Sequence, residues 1–211
     1  MKLEEIEKKL NLSLNSQLIS TNVLLGKLRL IDEASRKSGQ YQDPLYFPFY
    51  YHLSKFIKPK NILQIGLYLG LPLCCFLQGE KSSIENILCF QKKQEDFYSE
   101  KLALSNIKDL IKKTNIKIDY HYGEFLDKEF EKKILLCNWD LILVNQEVEG
   151  QDEISNILDF CWQSASLDSF IVVDRINSNK LIKDSFVNFC KINNREKIMF
   201  NTRYGTGIFQ K

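Results

Sequence analysis

Asn61-Ile62-Leu63-Gln64-Ile65-Gly66-Leu67-Tyr68-Leu69-Gly70 is the stretch whose reading decides the fold. Ile62, Leu63 and Ile65 form the apolar run of a strand covered on both faces. Gly66 and Gly70 then mark a turn where a ligand or a neighbouring backbone can come close. Leu71 to Leu77 continue as the start of a buried helix. Strand, glycine turn and helix at the head of an alternating α/β pattern form an arrangement that binds nucleotide-like cofactors. The spacing here is Gly-x-x-x-Gly rather than the dinucleotide Gly-x-Gly-x-x-Gly, and glycines in this place also serve simply to let helix and sheet pack closely.

Outward from that stretch, composition sets bounds. A chain of 211 residues with 44% apolar content is long enough for one domain with a real core. Twenty-nine basic against 27 acidic residues leave a net charge of +2, too small to argue for nucleic acid or an anionic membrane. No basic segment followed by an apolar stretch and a cleavage site reads as a secretory signal, and no apolar run approaches the roughly 18 residues that span a bilayer. These features lead us to expect a cytoplasmic protein. Cys74, Cys75, Cys89, Cys137, Cys161 and Cys190 lie in apolar segments without Cys-x-x-Cys spacing, and read as core residues with free thiols.

Before the first strand, Leu3, Ile6 and Leu10 fall on one face of a short amphipathic helix. A second helix is expected from Leu14 to about Lys37, ended by Gly39. It reads as a cover for the domain, with an oligomerisation arm as the alternative. Gln40 to Tyr51 is dense in aromatic residues and reads as a packing layer leading into a helix over His52 to Ile57. Residues 1–57 thus form a helical and aromatic extension, and 58–211 the main domain.

After the glycine turn, Asn86 to Phe90 reads as a second strand ending at Gln91. Ile116, Ile118, Tyr120 and Tyr122 alternate with polar residues, as an edge strand does, and Gly123-Glu124 follows. A charged helix over Leu126 to Leu136 precedes an apolar and therefore central strand, Asp140 to Val144, that runs into Asn145-Gln146-Glu147. A fifth strand, Phe170 to Val173, closes on Asp174. Lys197 to Asn201 and Thr206 to Gln210 form a terminal hairpin.

This order and the local sequences resemble the class I S-adenosylmethionine-dependent methyltransferases over residues 40–211. Lys58 to Gly66 looks like that family's entry into its first motif, Trp139 to Val144 like its fourth strand, Ser169 to Asp174 like its fifth, and Arg203 to Lys211 like its closing strand. The resemblance implies a Rossmann-like seven-stranded sheet, mostly parallel with an antiparallel last strand and helices on both faces. It implies S-adenosylmethionine as cofactor, with its methionine portion against the backbone of Gly66 and Gly70 and with Gln64 and Tyr68 as further first-motif residues of the cofactor site. Gln91 would stand at the ribose, Gly123 and Glu124 beside the adenine, and Asn145 where substrate and cofactor meet.

Several residues depart from the family pattern. Gln64, Gln91 and Asn145 stand where carboxylates are usual, so three charge-assisted contacts become neutral ones, each roughly half as strong. Tyr68 takes the place of a middle glycine. Two functions therefore stay open. One is methyl transfer to a small molecule or sugar. The other is a catalytically inactive fold that serves as a binding or structural module, with residues 1–57 as its contact surface for a protein partner or a second copy.

Methyl transfer from a sulfonium needs in-line placement, exclusion of water and sometimes a base. His121, Glu147 and Asp174 are the candidate bases at strand ends. A surface role for His121, and a helix-capping role for Asp174 in competition with Asn177 and Ser178, stand beside those readings. No metal site is expected, since Asn145 is not an acid and Glu147 with Asp174 make too few ligands. Nucleic-acid methylation is disfavoured because Asn145-Gln146-Glu147-Val148 has neither proline nor aromatic residue to stack a flipped base.

Overall fold

A computed structural model describes residues 1–16, 19–26, 28, 43–93, 98–125 and 127–211, without the side chains of 98–100. Its elements are α1 (Leu3–Ser16), α2 (Thr21–Leu25), α3 (Tyr46–Phe56), β1 (Asn61–Ile65), α4 (Leu71–Gly79), β2 (Asn86–Lys92), α5 (Tyr98–Ile111), β3 (Lys117–Gly123), α6 (Lys128–Ile134), β4 (Trp139–Val144), α7 (Gln151–Ser164), β5 (Ala165–Asp174), α8 (Lys180–Ile192), β6 (Lys197–Phe200) and β7 (Thr206–Gln210).

The seven strands make one sheet in the order β3-β2-β1-β4-β5-β7-β6. Strands β1 to β5 pair in parallel, whereas β7 runs antiparallel to both β5 and β6. This is the expected Rossmann-like sheet, with β3 at one edge. The period-2 alternation of strand side chains divides the core between its two faces. Ile62, Cys89, Leu141 and Val172 point to the face covered by α1 to α5. Leu63, Ile65, Ile142 and Val173 point to the face covered by α6, α7 and α8. Five of the six cysteines are buried, all six are free, and burial pushes the Cys89 thiol up to about 12. Among the described residues no helix is long and apolar enough to cross a membrane.

The helical segment before the sheet differs from its sequence reading in two places. Instead of one helix from Leu14, α1 continues to Ser16 and a new short helix starts at Thr21, where the Ser20 hydroxyl accepts the Val23 N–H as an N-cap. The rest of the expected helix, with Gly39 and the start of the aromatic run, lies outside the described residues. Residues 46–51 are helical rather than a layer preceding a helix. Pro48 sits in the first turn of α3, where its missing N–H leaves no bond unmade, so the helix starts six residues earlier than expected. The apolar face of α1, Leu3, Ile6 and Leu10, packs into the same core as α3.

Candidate active site

In this strand order the chain leaves β1 towards β2 on one side, while β4 lies on the other. A crevice opens at the carboxyl ends of strands that diverge in this way. Two loops meet there. Gly66, at φ +77, lies so close to the end of β4 that a Cβ on it would be 2.5 Å from the Asn145 carbonyl oxygen. Gly70, also left-handed at φ +64, caps α4, and Pro72 follows in the first turn. Beneath the loop, Gln91 Oε1 accepts the N–H groups of Leu67 and Tyr68, each at 2.8 Å. Gln64 donates to the Gly66 carbonyl at 3.0 Å, and its buried Oε1 has no hydrogen-bond partner among the described residues.

Above these loops lies a cavity of about 750 Å³, within the range of small-molecule sites. Tyr68 from the β1 loop, Asn145 and Glu147 after β4, Arg175 after β5, Tyr46 and Phe47 of α3, and Tyr204 before β7 all line it. Arg175 ties its polar wall together. Its Nε donates to Asn145 Oδ1 at 3.1 Å, an Nη donates to Glu147 Oε1 at 2.5 Å, and the guanidinium lies over the Tyr68 ring. Burial works against the Arg175 charge, but the hydrogen bond and charge pairing with Glu147 outweigh it and raise its pKa. The Tyr68 hydroxyl in turn accepts the Glu147 N–H at 3.0 Å.

Asp174 lies behind this wall and is 2% exposed. The Tyr46 hydroxyl donates to one carboxylate oxygen and the Arg175 N–H to the other. Burial pushes the Asp174 carboxyl up to about 6, while the hydrogen bonds from Tyr46 and Arg175 act in the opposite direction. The cap of α8 is Asn179, which accepts the Leu181 N–H, so Asp174, Asn177 and Ser178 do not fill that role.

The sequence-derived residues divide into three groups. Tyr68, Gly70, Asn145 and Glu147 line the cavity. Gln64, Gly66, Gln91 and Asp174 support it from beneath or behind, and the oxygen of Gln91 is already engaged by the glycine loop. His121, Gly123 and Glu124 are not among the lining residues. The His121 ring stacks on Phe90 and Phe130, and Nε2 lies 2.8 Å from Asp127, the residue that caps α6. Gly123 packs on that same His121–Asp127 contact. Beside Gln91, Lys92 bridges to Glu153 at 3.0 Å, and this hydrogen bond raises its pKa. Among the described residues no group of three His, Cys, Asp or Glu could hold a metal ion.

Sequence reasoning missed Arg175 and Tyr46. The only signal for Arg175 was its place directly after a strand-ending aspartate, and Tyr46 was one of many aromatic residues in its run.

No protein-family model matches the sequence. No curated protein matches it either. Solved structures do match. An O-methyltransferase from Bacillus cereus in complex with S-adenosylhomocysteine superposes with a TM-score of 0.66 at 14% identity, covering 98% of this chain and 100% of that one. An S-adenosylhomocysteine-bound methyltransferase from Podospora anserina gives 0.62 at 14% identity, over 99% and 96% of the two chains. An O-methyltransferase from Streptomyces achromogenes involved in tomaymycin synthesis, in complex with S-adenosylmethionine, gives 0.61 at 10% identity, over 100% and 98%. At these identities the likeness establishes the architecture alone, the Rossmann-like fold that this chain shares with those methyltransferases.

Proposed function

We propose that this chain is an S-adenosylmethionine-dependent methyltransferase acting on a small-molecule acceptor, with residues 58–211 as the catalytic domain and 1–57 as a helical extension that closes its cavity. The observation that carries this reading is the position of the cavity. It sits at the switch point of the sheet, against a left-handed glycine loop. The superposable O-methyltransferases with S-adenosylhomocysteine or S-adenosylmethionine bound support it.

The residues present fit the methionine end of such a cofactor. Gln64 offers a buried acceptor without a partner among the described residues, and Tyr68 and Tyr46 bring aromatic rings, which suit a cation, to the cavity wall. Gly66 and Gly70 let the backbone come close, with Asn145 at the junction with the acceptor. S-adenosylmethionine, when bound, supplies an electrophilic methyl group on a sulfonium. Glu147, exposed at the rim, would take a proton from an acceptor hydroxyl, while Tyr46 and Phe47 keep water from the cavity wall. Asp174 reaches the cavity through the Tyr46 hydroxyl and acts by holding it. On the nucleoside side, Gly123 and Glu124 would stand at the adenine, whereas His121, turned to Asp127 and packed on Phe90 and Phe130, would take no part in binding.

A second reading, an inactive binding module, is favoured by one observation. The Gln91 oxygen, which would meet the ribose, is already used by the Leu67 and Tyr68 N–H groups.

Calorimetric titration with S-adenosylmethionine and S-adenosylhomocysteine separates the two. Micromolar binding, about 8 kcal/mol, supports the methyltransferase reading. A lack of binding up to millimolar concentrations, weaker than about 4 kcal/mol, supports the module.

A further inference from the structure

Arg175 is the single cation and Glu147 the single anion among the described residues that line the cavity. The arginine holds a left-handed backbone, φ 65, which costs a side-chain-bearing residue free energy and marks functional sites when it persists. Two of its N–H groups meet Asn145 and Glu147, and a guanidinium carries five. The Glu147 side chain is 61% exposed against 30% for Arg175, so the pair is a weak one, from which the carboxylate can turn into water. Asp174 bonds the Tyr46 and Tyr50 hydroxyls and the Arg175 backbone N–H rather than the guanidinium, whose charge it feels without a hydrogen bond to it. The guanidinium lies over the Tyr68 ring, and Tyr46 and Tyr204, edge to face with each other, also line the cavity.

We infer that Arg175 is the specificity-determining residue of the cavity and that the ligand it selects is a planar ring carrying a carboxylate. A guanidinium edge matches a carboxylate with two parallel hydrogen bonds, and the aromatic walls match the ring. A monoanion exchanges for Glu147 without adding net charge once that carboxylate has turned away, whereas a phosphate dianion leaves an excess negative charge beside the buried Asp174. That the ring is the methyl acceptor rests on the methyl-transfer reading above. The recognition itself does not.

The test is a ligand-observed NMR titration of the full chain, without cofactor, using benzoate, benzamide and phenyl phosphate as probes. Wild type is expected to bind benzoate about tenfold more tightly than the isosteric benzamide, and Arg175→Gln to lose that preference. Arg175→Lys should keep part of it, having the charge without the fork. Arg175→Asn, whose short side chain tolerates left-handed backbone, serves as a second variant should Arg175→Gln melt early. Equal binding of benzoate and benzamide by wild type, or a preference that survives in the Gln and Asn variants, overturns the inference. Tighter binding of phenyl phosphate than of benzoate overturns the monoanion assignment. A chain that prefers benzoate through Arg175 but binds neither S-adenosylmethionine nor S-adenosylhomocysteine keeps this inference and loses methyl transfer, and the opposite result does the reverse.

Discussion

The Arg175 guanidinium carbon lies 5.3 Å from the centre of the Tyr68 ring, and both residues hold left-handed backbone, Tyr68 at φ 45 and Arg175 at φ 65. Strain of this kind costs on the order of 1 kcal/mol per residue and persists only where the surroundings over-determine the conformation. Here they do. Gln91 holds the Tyr68 N–H, Asp174 holds the Arg175 N–H, and Glu147 bonds both residues, through its own N–H to Tyr68 and its carboxylate to Arg175. The ends of β1, β4 and β5 are thereby joined, with the exposed Glu147 carboxylate as the weakest of these links.

Gly66→Val should remove cofactor binding. The added Cβ would lie 2.5 Å from the Asn145 carbonyl oxygen, and the position has φ +77, so the loops must separate. We expect a stability loss of about 3 kcal/mol with the secondary structure largely kept, read by circular dichroism and by titration with S-adenosylhomocysteine. Wild-type affinity in a folded Gly66→Val protein would show that the ligand does not meet this loop.

Gln91→Leu should destabilise the fold, because it strips the acceptor from two N–H groups of the glycine loop. Orphaning both costs about 3 kcal/mol, measurable as a lower urea midpoint with an unchanged slope. A midpoint within experimental error of wild type would mean that the loop is not held by this side chain.

Asp174 sets a pH dependence with a definite sign. Its carboxyl is raised from 3.8 to about 6 in the folded chain, so between those values the folded state binds more protons than the unfolded one. Its contribution to stability is therefore full below about pH 3.8 and lost as the pH rises through about 6. Over that window wild type should lose about 3 kcal/mol relative to Asp174→Asn, whose side chain does not titrate. Urea melts of both proteins near pH 4 and pH 7.5 measure the difference, and a constant difference would show that the carboxyl is not desolvated.

His121→Gln should leave the affinity for S-adenosylhomocysteine and for benzoate within about twofold of wild type, a change below about 0.4 kcal/mol. The His121 ring is stacked against Phe90 and Phe130 and hydrogen-bonded to Asp127, and it does not line the cavity. A loss of about tenfold in a variant that melts like wild type would bring His121 into the ligand site.

The local sequence by itself determined the strands, their order of appearance and the switch-point turn. Apolar runs such as Ile62 to Ile65 and Leu141 to Val144 have no stable place except between two helical layers, and Gly66 with Gly70 mark the turn that follows the first of them. The edge character of β3 was equally legible, because its alternation of apolar and polar residues records one wetter face. The start of α3 was not legible, since Pro48 reads as a breaker until it is known to occupy a first turn. The cavity wall was decided by tertiary structure alone. Tyr46 and Asp174 are 128 positions apart and Tyr68 and Glu147 are 79 apart, so no spacing rule connects them. Arg175 became a site residue only when the sheet brought the ends of β4 and β5 side by side and a left-handed turn aimed its guanidinium between Asn145, Glu147 and Tyr68. Short-range patterning encodes which segments pair and which faces are buried, whereas the chemistry of a site depends on side chains that meet only after the chain has closed on itself.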